Sequence, residues 1–458
     1  AHSSGHLHVA KWPALSLVGI TRDTPDQLDG VIRRDPQNRE PSGVLEEQAA
    51  APFLPLIFKT LPPLDEKLRR LDEVQSWYAS FGITTAHDAL SNPLNIQLLK
   101  EAARQNRLAL DIVSFPMWTL FSKVLSGEQS MEGVEIYPLS GIATAGRSLP
   151  SGAKAPTAPS ANGAGNAKVR VGLYESRHKI GGIKITTDGS PAGKTAYMTQ
   201  PYLRPPEGKP SDYRAYPVVA QPELDQWLDF SFRHGIQVQV HVNGDAAIDS
   251  LLAAVSKARE THGAKDMRPV AVHAQTARHD QIDAMARLGI VPSFFSAHTY
   301  FWGDWHINET FGRERAYGIS PMAYAASKGV VFSNHTDSPI VPPDMLMLSW
   351  TAVNRLSRSG VVVGPAEKVS PYIALKAITS GAAYQMFEEA SKGTLEVGKR
   401  ADLVALDANP LKVDPLTIKD VAVVETFKDG RSIYRADELG TKWAPRRPKI
   451  PFIRPLDL

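Results

Sequence analysis

The sequence predicts an α/β fold, a barrel of the TIM type with a small β module after it. Short apolar strands alternate with helical segments between about residues 83 and 337, the signature of a parallel sheet. The polar residues able to do chemistry fall at the C-terminal ends of those strands, where barrels build their sites. After residue 384 the chain changes to short strands joined by Gly-containing turns.

Totals bound the answer first. The chain has 458 residues, with 43% apolar and 22% charged, ordinary for a soluble globular enzyme. A net charge of +3 is too small and too dispersed for a nucleic-acid footprint. No apolar run reaches the ~18–20 residues of a membrane span. The opening "AHSSGHLHVAKWPAL" has no basic and apolar leader pattern. A soluble protein of the cytoplasm or periplasm is expected. There is no cysteine, which excludes disulfides, thiol nucleophiles and zinc-thiolate sites, so any metal must be held by His and carboxylate.

Residues 1–60 read as irregular and rich in Pro, Asp and Gly. A helix over "LDEKLRRLDEVQSWYASFG" stops at Gly82, followed by the strand "ITTAHDA", a polar helix near 95–106 and the strand "LALDIVSF". "GGIKITTDGSP", "IQVQVHVNGD", "PVAVHAQTA", "GIVPSFFSAH" and "GVVFSNHTDSP" complete a set of seven. Helices are expected at 222–234, 245–260, 278–288 and 320–328. Seven strands fit an eight-stranded barrel without its first strand, or an open sheet; the strand-end polar residues favour the barrel. Two stretches break the rhythm: a Gly/Pro/Ala/Ser-rich insertion at 146–168, read as mobile, and a long loop at 189–219, read as a lid or binding loop. Residues 1–383 are thus read as the barrel and 384–458 as the β module.

His241 and His273 each end a β-branched strand, and strand ends are neighbours in a barrel. Two neutral imidazoles meeting there suit a divalent cation, with Asp337 of the last strand as third ligand and proton acceptor. The alternatives are histidines satisfied under loops and an Asx turn or cap at Asp337. His335 is read as a donor behind the ligands. Lys184 lies inside an apolar strand, where an amine is costly to bury; it is either carboxylated to a metal-bridging carbamate or paired with Asp188. Asp188, at the same rim, is a candidate substrate contact. Asp245 reads as a helix cap. His298, Tyr300, Trp302 and Trp305 either line a substrate pocket or pack the rim; Arg313 and Arg315 read as solvent-facing. "GHLH" at 5–8 has ligand-like spacing, but with no apolar strand ahead of it we read it as a coincidence.

The combination of "IKITTDGS", "VHVNGDAAID", "VHAQ", "SNHTDSPIVPP" and "GTLEVGKRADLVALDANP" resembles the amidohydrolase superfamily, in its family 3 branch of YtcJ-like proteins and N-substituted formamide deformylases. "SSGHLHVA" and "REPSGVLEE" resemble that branch too. The resemblance implies a distorted (β/α)8 barrel with a β-sandwich. It also implies one or two divalent metals, zinc above all, on His241, His273, Asp337 and a carboxylated Lys184. The implied activity is hydrolysis of a C–N, amide-like bond of a small molecule by metal-bound hydroxide. The chain departs from the pattern in lacking the His-x-His first strand. That strand is expected upstream, on a separate segment or chain, or else the protein is a degenerate, non-catalytic binding or regulatory barrel. Deamination of a cyclic substrate would use the same ligands. A homo-oligomer is compatible with all of these.

Overall fold

The computed structural model describes residues 6–26, 30–122, 134–137, 139 and 169–436. The expected insertion at 146–168 and the end of the chain beyond 436 lie outside them. The N-terminal stretch is more ordered than its composition implied. It forms a three-stranded antiparallel sheet of β1 (Leu7–Val9), β2 (Ile32–Arg34) and β3 (Pro41–Glu46), in the order β1-β3-β2. Strands of three residues leave no readable periodicity, which is why the sequence shows only its turns. Leu15, Ile20, Ile32 and Leu45 give this sheet its own small core.

The predicted parallel strands are all present. They are β4 (Thr85–Ser91), β5 (Asp111–Pro116), β10 (Gly182–Thr186), β11 (Gln237–Val242), β12 (Val270–His273), β13 (Val291–Phe294) and β14 (Ser333–Asn334). Between β5 and β10 lie four short strands: β6 (Val134–Ile136), β7 (Val169–Val171), β8 (Tyr174–Glu175) and β9 (His178–Ile180). β10 to β14 pair in parallel in chain order. β4 pairs in parallel with β5, and a parallel bridge from Met117 to Lys184 carries the array from β5 to β10. The result is a TIM-barrel-like α/β array. Among the described residues no ladder joins β14 to β4.

Helices cover the array close to the expected positions: Gln221–His234, Asp245–His262, His279–Leu288 and Met322–Ser327. The first and third end on Gly235 (φ +70) and Gly289 (φ +69), a left-handed turn that glycine makes without a Cβ clash. Val238, Val240 and Val242 of β11 and Ile183 and Ile185 of β10 are buried together with Trp227, Leu228 and Leu251 of the flanking helices. A fully buried strand cannot show polar alternation, hence the continuous β-branched runs. No described helix is long and apolar enough to cross a membrane.

The loop over 189–219 has its own core. Tyr202 stacks on Phe311 and Tyr213, and Ala196 and Met198 are buried with it. β15 (Leu403–Leu406), β16 (Val423–Lys428) and β17 (Arg431–Arg435) form the expected antiparallel C-terminal module. It is fixed to the start of β5 by buried ions. Asp111 meets Lys428 Nζ at 2.7 Å and Lys392 Nζ at 2.8 Å, and Lys428 also reaches Asp402 at 2.7 Å. Lys392 and Lys179 share Glu388.

Candidate metal centre

The C-terminal ends of β11, β12 and β14 bring their polar residues into one cavity of about 20 Å³, lined by His241, His273 and Asp337 and walled by Asn243, His298 and Trp302. Register explains the meeting: Val242 lies opposite His273, so the two histidines occupy adjacent strand tips, their rings 4.6 Å apart. His335, just beyond β14, closes the row. Its Nε2 lies 3.0 Å from His273 Nδ1, and its Nδ1 bonds Ser293 Oγ at 2.9 Å. One donor atom from each of His273, His335 and Asp337 falls within 4.8 Å of the others. The sequence reads His335 as a donor behind the ligands; in the structure it stands beside His273, close enough to His273 and Asp337 for the three to face one ion. The signal was available, since residues 335 and 337 share a face in an extended chain.

His241 is held from behind. Its Nδ1 is 3.0 Å from Asp188 Oδ1, and Asp188 also accepts the backbone N–H of Asn243 (3.0 Å), Gly244 (2.7 Å) and Tyr197 (3.1 Å). Asp188 therefore positions His241, in place of the substrate contact expected of it. Burial pushes its carboxyl up to about 7 against those amides. A carboxylate on Nδ1 fixes the tautomer and leaves the lone pair on Nε2, the usual support of a metal-ligating histidine; here that nitrogen faces Asn243 Nδ2 at 3.2 Å. Burial, with Lys184 nearby, holds His241 well below the ordinary imidazole value; burial and the neighbouring histidines do the same for His273. Both are therefore neutral, as ligands must be.

The turn behind His241 depends on Gly244, since a Cβ there would sit 1.8 Å from the Tyr197 carbonyl oxygen. Gly244→Ala is expected to cost about 3 kcal/mol, the upper end of usual overpacking costs, read from the urea midpoint.

Lys184 is 4% exposed, and its Nζ has no hydrogen-bond partner. Burial pushes the amine down to about 7, with Asp337 and Asp188 opposing. The pairing with Asp188 is not formed. Burial raises the Asp337 carboxyl, with Lys184 and His6 opposing. Asn243 Oδ1 is a second buried polar atom without a partner. A cluster of neutral imidazoles, one carboxylate, an orphaned amine and an orphaned amide oxygen fits a divalent cation.

Other expected residues fall elsewhere. Tyr300 turns away on the 298–301 helical turn and packs edge-on to Trp350 (5.6 Å) and Phe301, outside the cavity. Trp305 donates to the Ala192 carbonyl at 3.1 Å. Asp245 makes no cap; it accepts from Thr199 N at 2.8 Å and meets Arg278 at 3.2 Å. Arg315 is half-buried and bonds the Pro201 carbonyl at 2.8 Å. His6 of "GHLH" does line the cavity, its ring 5.0 Å from that of His241. His6 sits just before β1, which begins inside the motif at Leu7, so looking for a strand ahead of it missed the residue.

A family profile described as "Amidohydrolase family" matches residues 1–434. The chain belongs to this amidohydrolase family. It is 26% identical to the YtcJ protein of Bacillus subtilis (strain 168), over 94% of this chain and 72% of that protein. It is 24% identical to the N-substituted formamide deformylase of Arthrobacter pascens, over 93% of this chain and 71% of that enzyme. Its fold resembles that of an uncharacterized metal-dependent hydrolase from Pyrococcus horikoshii OT3 (TM-score 0.64, 21% identity, 90% of this chain and 71% of that one). The amidohydrolase assignment and the TIM-barrel-like fold expected from the strand pattern thus agree.

Proposed function

We propose that this amidohydrolase is a metal-dependent hydrolase that cleaves a C–N, amide-like bond of a small molecule. The observation that carries the reading is the convergence of His241, His273 and Asp337 from separate strand tips on one buried cavity, with His335 set against His273. The deformylase among its relatives supports an amide-class substrate. A divalent cation bound there, zinc foremost, would polarise a carbonyl and lower the pKa of water to ~7. The residues do the rest. Asp188 locks His241 in the tautomer that offers Nε2. Asp337 takes the proton of the attacking water and passes it to the leaving nitrogen, a task suited to a carboxyl raised by burial. His298 and Trp302 form the wall against which the acyl part rests.

Lys184 completes the donor set by carboxylation. Its amine would add CO2 and release a proton, and the resulting carbamate anion would be a further ligand for the cation. The unjoined edges of β4 and β14 leave the array open among the described residues. A further strand there, from a preceding segment or another chain, would close the barrel and add ligands.

The test is metal loading of the full chain followed by assay on N-substituted formamides and N-acyl amines. Bound zinc by elemental analysis is expected, with hydrolysis lost to a chelator and restored by zinc. Metal-loaded protein without turnover on either class would support a binding role and overturn this reading.

A further inference from the structure

His298 lines the cavity with His273 and Asp337, and its ring is clamped. It stands edge-on to Phe295 at 4.9 Å and lies against Trp302 at 4.7 Å. Its Nδ1 is 3.0 Å from Nε2 of His306, a wholly buried residue, and the two ring planes differ by only 9°. His306 Nδ1 lies in turn 2.9 Å from Thr310 Oγ1. The wide π-type turn His306–Thr310, a form that recurs at functional sites, folds Thr310 back under His306. The long loop over 189–219 braces that turn: Leu203 N–H donates to the Thr310 carbonyl at 2.8 Å, and Arg204 meets Glu309 at 2.9 Å. Burial pushes His306 down to about 3 and holds His298 well below the ordinary imidazole value, so each ring is neutral and carries one proton. The hydroxyl at the end of the row sets where those protons sit. Thr310 Oγ1 donates to the His306 carbonyl at 3.4 Å and therefore accepts from His306 Nδ1–H. His306 Nε2 is left with a lone pair and accepts His298 Nδ1–H. The opposite order would leave the carbonyl contact unmade. The nitrogen that His298 keeps for the cavity is then Nε2, an acceptor to which none of the described residues donates.

We propose that His298 determines specificity: its Nε2 accepts the N–H of the substrate, so the site selects amides that keep one hydrogen on nitrogen over fully N-substituted ones. The inference rests on the C–N hydrolase reading above and deepens it by naming the substrate class. His306 is the positioning residue, since it fixes both the tautomer and the ring of His298. Without a proton on Nε2, His298 does not serve as a donor to the substrate carbonyl oxygen. A buried acceptor that meets no donor keeps its full desolvation cost when a fully substituted amide enters, and an N–H relieves that cost. Sites built to bond a substrate N–H reject the analogue lacking it far more strongly than apolar pockets reject an extra methyl group.

The test compares kcat/KM for N-butylformamide and N-butyl-N-methylformamide with the zinc-loaded full chain, and reads histidine tautomers by nitrogen NMR of the isotope-labelled protein. The wild type is expected to prefer the N–H substrate and to hold His298 protonated at Nδ1. His298→Phe keeps a ring and loses the acceptor, and is expected to cut the preference by ~10–100-fold, the effect of one buried hydrogen bond left unmade. His306→Leu is expected to mix the His298 tautomers and lower the preference in the same direction. His306→Gln, whose amide oxygen can still accept from His298 Nδ1–H, is expected to restore both. An equal preference in wild type and His298→Phe, or a wild-type His298 protonated at Nε2, would overturn the proposal and leave the hydrolase reading standing. No hydrolysis of either formamide by the zinc-loaded wild type would overturn both. If circular dichroism shows His298→Phe unfolded, the wild-type tautomer decides.

Discussion

Asp111→Ala is expected to destabilise the protein by about 3–5 kcal/mol, the usual result of removing one partner from buried ions. Asp111 is 1% exposed and is bound by Lys392 and Lys428, with Arg400 and Arg177 each at 3.3 Å. Its loss leaves Lys428, whose side chain is wholly buried, with Asp402 alone. The cluster ties β5 to the C-terminal module at the end of the array opposite the cavity, so metal stoichiometry should not change. Urea unfolding measures the first effect and elemental analysis the second. Acid should act on the same place. Burial alone would raise Glu388, but Lys179 and Lys392 more than offset it and hold the carboxyl down at about 2. A carboxylate depressed in the fold contributes stability above its unfolded value of about 4.3 and loses it as pH falls toward the folded value. Thermal midpoints should therefore drop between about pH 5 and 2. Asp111, held low against its burial by Lys392 and Lys428, adds to the drop, so the slope should be shallower in Asp111→Ala. A midpoint flat across that window would show that the cluster contributes no net stability.

Asp337→Asn is expected to lower kcat on an N-substituted formamide by ~10²–10⁴-fold, the typical contribution of a positioned acid–base group. Stability should barely move. The substitution keeps the shape, and asparagine accepts the left-handed backbone found at this position (φ +53). Burial raises the Asp337 carboxyl, so removing its charge does not deprive the fold of a favourable ion. Full activity in Asp337→Asn would remove Asp337 from proton transfer. A large loss of stability would recast it as a structural residue.

The parallel strands and the ends of the main helices were legible because burial on both faces writes a β-branched run, and the run's end marks the rim. His241, His273 and Asp337 could be picked out for the same reason: each stands where an apolar run stops. Residues placed by tertiary approach were not legible. Asp188 reads as a rim residue until the Asn243 and Gly244 amides are seen to fold over it. His6 requires the N-terminal sheet to lie across the barrel mouth, and strands as short as β1 write no pattern. Tyr300 looked like a pocket residue beside His298 and Trp302. One helical turn sends it to Trp350 while keeping the other two on the cavity. Lys184 was legible as an anomaly, and the structure sharpens the anomaly into an amine without a partner.

His273 (φ +72) and Asp337 (φ +53) both adopt the backbone shape that most L-residues avoid. Histidine, aspartate and asparagine are among the few side chains that enter it readily, while β-branched and bulky ones are true outliers there. Attempts to retune this centre toward a softer ion by grafting thiolate or thioether groups onto those two tips would meet a conformational toll of about 1–3 kcal/mol per site before any new bond formed. The chain's geometry thus narrows the ligand alphabet at these tips independently of what the cation prefers, and redesign has more latitude at His241, where the strand is regular.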